Sequence, residues 1–351
     1  MATAREGQAA VRLGDGRVLI MGGTVPFTGK CQMACIAPDT ASVEIYDPHT
    51  RKFSPYGSLA QARTDGQALL LGDGRVLVSG GDGQSSDFST LEIYAPAKKT
   101  SVAVEPPGDG QQLPSYPAVA LLADGRVLIA GGSYDQLSTT SDTTLIFDPA
   151  SGGFSKGPLM AKPREEATAT LLGDGRVLIA GGTYYESNYG YSNNNAELID
   201  PSNPLSKSTL LASQDPATAS LLSDGRVLVA GGGPYDSGAG CATPVVPEVF
   251  DPKTEKFTPV GPMRTPRTGS AAIKIQDGRV LFFGGLDSHC AAMGTVEAFD
   301  PDSGTFQVIA TGFPKVVDFS ATLLDDGEIL IAGGHGINDW NMTAASWILK
   351  P

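Results

Sequence analysis

Charged and aromatic side chains recur at fixed distances before a repeated turn, and their types suit acid–base chemistry or polar recognition. Counted back from the aspartate that opens each turn, arginine stands ten residues away, a carboxylate nine, and a carboxylate or tyrosine eight. These residues are Arg5, Arg63, Arg164 and Arg267, then Glu6, Glu165 and Asp215, then Asp65, Tyr116, Glu166 and Asp318. Carboxylates that share a site raise one another's pKa, which supplies acid and base forms near neutrality. We call this set the collar.

A second group of aromatic and polar residues follows a glycine pair that occurs once in each repeat. It includes Tyr134, Tyr184, Tyr185, Tyr189, Tyr191, Tyr235, His289, His335 and Trp340. Rings of this kind stack on sugars or on cationic groups, and neighbouring carboxylates accept hydrogen bonds. The alternative is that the tyrosines only fix long loops and that the arginines only pack between repeats.

The two groups together predict one ligand site where equivalent positions of the repeats converge. Its predicted residues are Arg63, Asp65, Tyr116, Arg164, Glu166, Tyr184, Arg267, His289, Asp318, His335 and Trp340.

The repeated turn belongs to a phrase that occurs seven times: Asp-Gly-Arg, a short apolar run and a glycine pair. The copies begin at Asp15, Asp73, Asp124, Asp174, Asp224, Asp277 and Asp326, the last with Glu328 in place of the arginine. Spacings of 49 to 58 residues between copies are typical of β-propellers, in which each repeat forms one blade.

The fourth copy shows how strands follow from the sequence. Residues 167–172 predict a first strand, Asp174-Gly175 a two-residue turn, and residues 176–180 a buried second strand. Residues 196–199 predict a third strand that ends at Asp200-Pro201, because proline cannot continue the ladder. A fourth strand is predicted from a phenylalanine seven residues after a third-strand aromatic; the pairs are Tyr46 and Phe53, Phe147 and Phe154, Phe250 and Phe257, and Phe299 and Phe306.

The glycine pair, the Asp-Gly-Arg turn and a third strand such as Glu-Ile-Tyr-Asp-Pro resemble kelch repeats, most closely those of the bacterial and galactose-oxidase-like branch. The resemblance covers essentially the whole chain and implies an all-β, seven-bladed β-propeller as a single domain, residues 1–351. The implied blades span approximately 5–58, 63–108, 114–160, 164–210, 214–262, 267–311 and 316–351. We expect the last blade to be three-stranded, because the chain continues only to Lys350-Pro351 after its third strand.

The galactose-oxidase-like branch includes enzymes that hold copper through tyrosine and histidine, typically with a Tyr-His pair at the start of a first strand. This chain has three histidines, His49, His289 and His335, and none begins a first strand. Tyr116 alone occupies such a position. We therefore expect no copper-radical oxidation and no cofactor.

Two functions are left open by the residues and the resemblance. One is an extracellular binding module, which presents an acidic and aromatic loop face to a glycan, a small polar molecule or a protein. The other is an enzyme of the epimerase, lyase or hydrolase type, which uses the collar for acid–base chemistry. A net charge of −13 disfavours nucleic acid and anionic membranes, which need clustered cations.

The four cysteines, Cys31, Cys35, Cys241 and Cys290, all fall in loops between second and third strands. This placement predicts the disulfides Cys31–Cys35 and Cys241–Cys290, and therefore an exported protein, secreted or periplasmic, whose signal peptide has been removed. The alternative is four unpaired thiols in the cytosol. No apolar stretch is long enough to span a bilayer, and we expect a monomer.

Overall fold

The computed structural model describes residues 1–27, 37–81, 91–108, 113–134, 140–186, 189–205, 208–212, 218–232, 245–336 and 341–351. Within these ranges every regular element is a β-strand, so the predicted all-β class is confirmed. The strands form small antiparallel sheets in chain order, which is the arrangement of a β-propeller. Two compact units are present: unit 1 is Met1–Ser115 with Val316–Pro351, and unit 2 is Tyr116–Lys315. The described residues contain no helix that could cross a membrane.

The first two copies of the repeat form one eight-stranded sheet in unit 1. Its strands are β1 Ala9–Arg12, β2 Val18–Met21, β3 Ser42–Asp47, β4 Lys52–Ser58, β5 Gln67–Leu70, β6 Val76–Ser79, β7 Leu91–Ala95 and β8 Thr100–Val104. The order β1-β2-β3-β4-β8-β7-β6-β5 contains two antiparallel meanders of four strands each. They join at their outer edges, because Ser58 of β4 pairs in parallel with Thr100 of β8.

The described residues of unit 2 form four sheets of four strands each and one separate hairpin. Its strands are β9 Ala118–Leu121, β10 Val127–Ala130, β11 Thr144–Asp148, β12 Gly153–Lys156, β13 Thr168–Leu171, β14 Val177–Ala180, β15 Thr183–Glu186, β16 Tyr189–Ser192, β17 Asn195–Ile199, β18 Thr209–Ala212, β19 Thr218–Leu221, β20 Val227–Ala230, β21 Glu248–Asp251, β22 Lys256–Pro259, β23 Ala271–Lys274, β24 Val280–Phe283, β25 Thr295–Asp300 and β26 Thr305–Thr311. The hairpin of β15 and β16 is inserted between the second and third strands of its sheet, β13-β14-β17-β18.

The last copy returns to unit 1 and has a smaller sheet. Its strands are β27 Val316–Val317, β28 Ser320–Leu323, β29 Ile329–Ala332, β30 His335–Gly336 and β31 Ser346–Leu349. The order β28-β29-β31 gives the three-stranded sheet that was expected for this copy, and β27 pairs with β30.

The turn between first and second strands is one residue longer than predicted. The N–H of Leu172 donates to the carbonyl of Arg176 at 2.8 Å, so three residues lie between the paired ends. Gly175 has φ +89°, which fits a type I turn followed by a left-handed residue, a common three-residue hairpin loop. Arg176 Nε donates to Asp174 Oδ2 at 2.9 Å, and this hydrogen bond lowers the pKa of Asp174.

The core of each sheet lies along its second strand, which is buried over its whole length in all seven copies. The fourth strands predicted from these phenylalanines are confirmed, and each phenylalanine contacts the third-strand aromatic. Their ring centroids are 4.8–5.0 Å apart in the pairs Tyr46–Phe53, Phe147–Phe154, Phe250–Phe257 and Phe299–Phe306. These contacts close the outer side of the sheets.

The glycine pair after the second strand lets backbones of neighbouring copies approach each other. Gly132 N–H donates to the carbonyl of Arg164 at 2.8 Å. Gly131 has φ +67°, and a Cβ added there would lie 2.1 Å from the same carbonyl oxygen. Within the fourth copy itself, a Cβ at Gly182 would lie 2.5 Å from the carbonyl oxygen of Glu165. Only glycine allows both the conformation and the contact.

We expect Gly131→Ala to destabilise the protein more than Gly125→Ala. Gly125 also has positive φ, +87°, but an added Cβ there would meet no atom within 4 Å. The Gly125 variant should lose about 1–2 kcal/mol from backbone strain, and the Gly131 variant about 1–3 kcal/mol more from overpacking. Urea denaturation of both variants measures the difference. Equal losses of stability would show that the close contact between Gly131 and the carbonyl of Arg164 does not restrict the residue at position 131.

Candidate functional site

The arginines of the collar are buried in ion pairs with third-strand glutamates. The pairs are Arg5–Glu44 at 2.9 Å, Arg63–Glu92 at 2.6 Å, Arg164–Glu197 at 2.6 Å and Arg267–Glu297 at 2.8 Å. Arg164 and Arg267 are only 0 % and 2 % exposed, so they offer a ligand almost no surface. Burial therefore favours the alternative role in packing over the predicted ligand contact.

Each glutamate also holds the backbone segment that leads into the first strand. In the fourth copy, Glu197 accepts from the N–H of Ala161 at 2.6 Å and of Lys162 at 2.9 Å. Arg164 Nη1 donates to the carbonyl of Gly181 at 2.8 Å. Burial lowers the pKa of Arg164, and the Glu197 carboxylate opposes that change. We call this arrangement the Arg–Glu clamp.

Sequence reasoning missed the glutamates of the clamp, although a signal for them exists. In all four pairs the glutamate lies two residues before the third-strand residue at the aromatic position. In the third copy, Pro114 replaces the arginine and Leu145 stands at the glutamate position. The fifth copy keeps Glu248 although Gln214 replaces the arginine, so the arginine always occurs with the glutamate but the glutamate also occurs without it.

We expect Arg164→Met to cost about 3–5 kcal/mol, because it leaves the Glu197 carboxylate buried without its cation. The double variant Arg164→Met/Glu197→Leu should lose less than the single variant, since both charges are removed together. Arg126→Met is the control; its pair with Asp124 is exposed and is worth at most about 1 kcal/mol. Denaturation of these three variants and of the single variant Glu197→Leu measures the coupling. Additive losses in the double variant would rule out the clamp.

In the six copies where it is described, the residue eight positions before the turn aspartate adopts a left-handed backbone conformation. Asp65, Tyr116, Glu166 and Asp318 have φ of 50–55°, and Gly7 and Gly269 both have 61° at equivalent positions. For residues other than glycine, this conformation costs about 1–2 kcal/mol of stability. Such strain is concentrated at functional sites in proteins.

Backbone hydrogen bonds link these left-handed residues within each unit. In unit 1 the N–H of Gly7 donates to the backbone carbonyl of Asp318 at 3.0 Å, and the N–H of Asp65 donates to the carbonyl of Gly7 at 2.7 Å. In unit 2 the N–H of Glu166 donates to Tyr116 at 2.9 Å. The structure therefore brings predicted site residues together, Asp65 and Asp318 around Gly7, and Tyr116 beside Glu166.

A histidine and two carboxylates meet in unit 1, and we call them the Glu6–His335–Asp318 cluster. His335 Nδ1 lies 2.5 Å from Glu6 Oε2 and 3.7 Å from Asp318 Oδ2. The His335 side chain is 4 % exposed, whereas those of Glu6 and Asp318 are 22 % and 58 % exposed. The imidazole thus lies behind two carboxylates that reach solvent.

The backbone explains how these residues meet. His335 begins β30 directly after a glycine pair and pairs with Val317 of β27, while Glu6 bridges to Thr24. Partial burial raises the pKa of Glu6; the charge of His335 opposes this change and the Asp318 carboxylate adds to it.

Two neighbouring glutamates form a second acidic group in unit 2. Burial raises the pKa of Glu165; a hydrogen bond from Ser133 opposes this change and the charge of Glu166 adds to it. Glu166 is solvent-exposed, yet desolvation by surrounding protein raises its pKa too.

The hairpin of β15 and β16 is attached next to this acidic group. Glu165 and Thr183 exchange two backbone hydrogen bonds of 2.9 Å. On the hairpin, the rings of Tyr184 and Tyr191 stack with centroids 5.4 Å apart. Tyr191 is 45 % exposed, so one aromatic ring is available for contact with a ligand.

The other predicted site residues contribute less. His289 lies in an exposed loop, where its backbone N–H donates to Asp287 Oδ1 at 2.8 Å. Trp340, Cys31, Cys35 and Cys241 lie outside the described residues. Cys290 is described and is not a free thiol, but both disulfide pairings stay predictions.

Comparisons with known proteins give a fold and no family. No protein-family model matches the chain, and no curated protein matches it. Among solved structures 854 chains match, so the fold is too widely shared to choose a function. One of them is a fungal alcohol oxidase of the AA5 family in complex with copper. It has a TM-score of 0.74 and 18 % identity, with 99 % of this chain and 73 % of that chain covered. At this identity the likeness shows the β-propeller fold alone.

The donor residues of this chain do not fit a copper centre built from tyrosine and histidine. His335 directs a ring nitrogen to Glu6, and His49 and His289 are exposed in turns. Within the described part of the chain, no group of three His, Cys, Asp or Glu side chains could hold a metal ion.

We expect Glu166→Gly to be more stable than Glu166→Ala by about 1 kcal/mol, because glycine relieves the left-handed strain that alanine keeps. Both variants should also weaken the pH dependence of stability. The raised pKa means that the folded state binds the proton more tightly, so wild-type stability falls as pH rises from 4.5 through the raised value. Urea denaturation across this pH range measures both effects. Equal stabilities and unchanged slopes would contradict the assigned conformation and pKa.

Proposed function

We propose that this chain is a seven-bladed kelch-type propeller that carries out acid–base chemistry on a small polar substrate at the Glu6–His335–Asp318 cluster. The kelch-like sequence features and the meander formed at each of the seven copies support the blade assignment. The catalytic assignment rests on one observation, the placement of two solvent-reaching carboxylates within 3.7 Å of the same buried imidazole nitrogen.

The different environments of the two carboxylates suit them to different roles. Glu6 is the more buried and has the raised pKa, which suits a general acid that holds its proton closer to neutral pH. Asp318 is the more exposed and serves as the base. His335 contacts Glu6 from the protein side and orients it. Proton transfer of this kind serves epimerases, lyases and hydrolases.

The charge around the cluster indicates the substrate class. Asp65 lies beside it: a Cβ on Gly7 would be 2.6 Å from Asp65 Oδ1. Three carboxylates close together repel anions and accept hydrogen bonds from hydroxyl or ammonium groups. We therefore propose a neutral or cationic hydroxylated substrate, such as a sugar or an amino sugar. Export from the cytosol and a monomeric state remain part of this proposal.

A binding module without catalysis is the second candidate, and the stacked tyrosines favour it. The exposed ring of Tyr191, supported by Tyr184, has the geometry of a platform for a sugar face. In that case the hairpin of β15 and β16 would present the ligand site, and Glu165 and Glu166 beside its base would accept hydrogen bonds.

The catalytic proposal predicts proton exchange that depends on two carboxylates. Wild-type protein is incubated in D₂O with a panel of neutral and amino monosaccharides, and NMR follows loss of C–H signals and new products. Glu6→Gln and Asp318→Asn should each slow the reaction by about 10²–10⁴-fold.

Glu105→Gln, an exposed carboxylate elsewhere in unit 1, is the matched control and should react as wild type does. Equal rates for wild type, Glu6→Gln and Asp318→Asn would contradict the catalytic proposal. Glycan-array binding that is lost in Tyr191→Ser, without proton exchange on any sugar, would support the binding module instead.

A further inference from the structure

Unit 2 contains a group of residues at the positions that form the Glu6–His335–Asp318 cluster in unit 1. Glu6 and Glu165 both stand nine residues before a turn aspartate, and each bridges to the residue after the glycine pair of its own copy. His335 and Ser133 are the residues after the glycine pair in the last and third copies. His335 contacts Glu6, and Ser133 makes a hydrogen bond with Glu165.

The third member of each group comes from the same copy as the histidine or the serine. Asp318 and Tyr116 both stand eight residues before a turn aspartate, and both adopt the left-handed conformation. The carbonyl of Asp318 accepts from the N–H of Gly7 at 3.0 Å, and the carbonyl of Tyr116 accepts from the N–H of Glu166 at 2.9 Å. The two groups therefore share one backbone framework and differ in their side chains.

The side chains of the unit 2 group suit binding better than proton transfer. Ser133 takes the place of the imidazole, and a serine hydroxyl carries no charge near neutral pH. Tyr116 replaces an aspartate, so the second carboxylate of this group is supplied by Glu166. Glu165 is only 7 % exposed, whereas Glu166 is solvent-exposed. Glu166 is therefore the carboxylate that a ligand can reach.

The hairpin of β15 and β16 adds an aromatic surface beside Glu166. Thr183 of the hairpin exchanges two backbone hydrogen bonds with Glu165, so Glu166 and Tyr184 each stand one residue from this attachment. The rings of Tyr184 and Tyr191 stack with centroids 5.4 Å apart and an angle of 26° between their planes. Tyr184 thus supports the exposed ring of Tyr191 from behind.

A second attachment holds the hairpin on the third copy. The N–H of Tyr185 donates to Thr140 Oγ1 at 3.3 Å, and Thr140 pairs with Ser133 through an isolated bridge. Ser133 and Glu165, which are hydrogen-bonded to each other, are thus both linked to the hairpin. These links hold the tyrosines in place relative to the glutamates.

The charge beside the hairpin is negative and lacks a nearby cation. Arg164 is buried and paired with Glu197 at 2.6 Å. Burial raises the pKa of Glu165 and of Glu166, and among the described residues no cation lowers either pKa. An exposed carboxylate beside an exposed ring fits a ligand with an ammonium group and an apolar face. Amino sugars combine the two, because C–H bonds form a face of the sugar ring and the ammonium group lies at its edge.

We propose that unit 2 carries a second, non-catalytic site, in which Tyr191 stacks on an amino sugar and Glu166 accepts hydrogen bonds from the ammonium group. Glu165 and Ser133 hold the backbone that positions Glu166. This site does not depend on catalysis at the Glu6–His335–Asp318 cluster, and it is present beside that cluster in the same protein.

NMR titration of wild-type protein with glucosamine, glucose and methylammonium tests the proposal. We expect glucosamine to shift the amides of β15, β16 and Glu166. It should bind at least about tenfold more tightly than the other two, since glucose lacks the ammonium group and methylammonium lacks the ring face. Glu166→Gln should weaken glucosamine binding by at least about tenfold, and Tyr191→Ser by about fivefold. The exposed-carboxylate variant Glu105→Gln should bind as wild type does.

The variant Glu6→Gln separates the two sites. It should leave glucosamine binding at the hairpin unchanged whether or not it slows proton exchange, so failure of catalysis and failure of this site give different results. Equal binding of glucosamine and glucose, or unchanged glucosamine binding by Glu166→Gln, would overturn the proposal. Methylammonium that binds as tightly as glucosamine would also overturn it, because the stacked ring would then contribute nothing.

Discussion

The close approach of two backbones at the glycine pairs is the constraint on which the site depends. The carbonyl of an arginine accepts from the second glycine of the preceding copy, as Arg63 does from Gly23 at 2.8 Å. The same arginine donates through its side chain to the first glycine of its own copy, Gly80, at 2.9 Å. One residue thus ties two copies together through both backbone and side chain. This attachment positions the residues that follow the arginine.

The left-handed residue two positions after the arginine position is a consequence of that attachment. The chain leaves the glycine contact and must turn at once into the first strand. Gly7 and Gly269 make this turn without strain, whereas Asp65, Tyr116, Glu166 and Asp318 do so with side chains that raise its cost. A scaffold selected for stability alone would favour glycine at these positions. The retained side chains are therefore best explained by what they contact, which fits the usual relation between local strain and function.

The sequence predicts most of the fold but only part of the site. The strands and the aromatic positions can be predicted because they repeat, and the convergence of Asp65 with Asp318 follows from that repetition. The extra turn residue was missed because Asp-Gly fits hairpin loops of two and of three residues, and only the Leu172–Arg176 hydrogen bond distinguishes them. The contact of His335 with Glu6 joins the last copy to the first. No spacing along the chain could reveal it, since it depends on side chains that occur in one copy each.

The Arg–Glu clamps also change the chemistry expected of the site. A collar of mixed sign would suit an anionic substrate, because arginine binds carboxylate and phosphate groups well. In the structure the guanidinium groups are buried and neutralised by glutamates, as Arg267 is by Glu297 at 2.8 Å. The collar side chains that remain exposed are mainly carboxylates, such as Asp65, Glu166 and Asp318. A buried pair contributes little field at the surface, so the solvent-facing side chains decide which ligand can approach. The same repetition that predicts an arginine in the collar thus also supplies the glutamate that neutralises its charge.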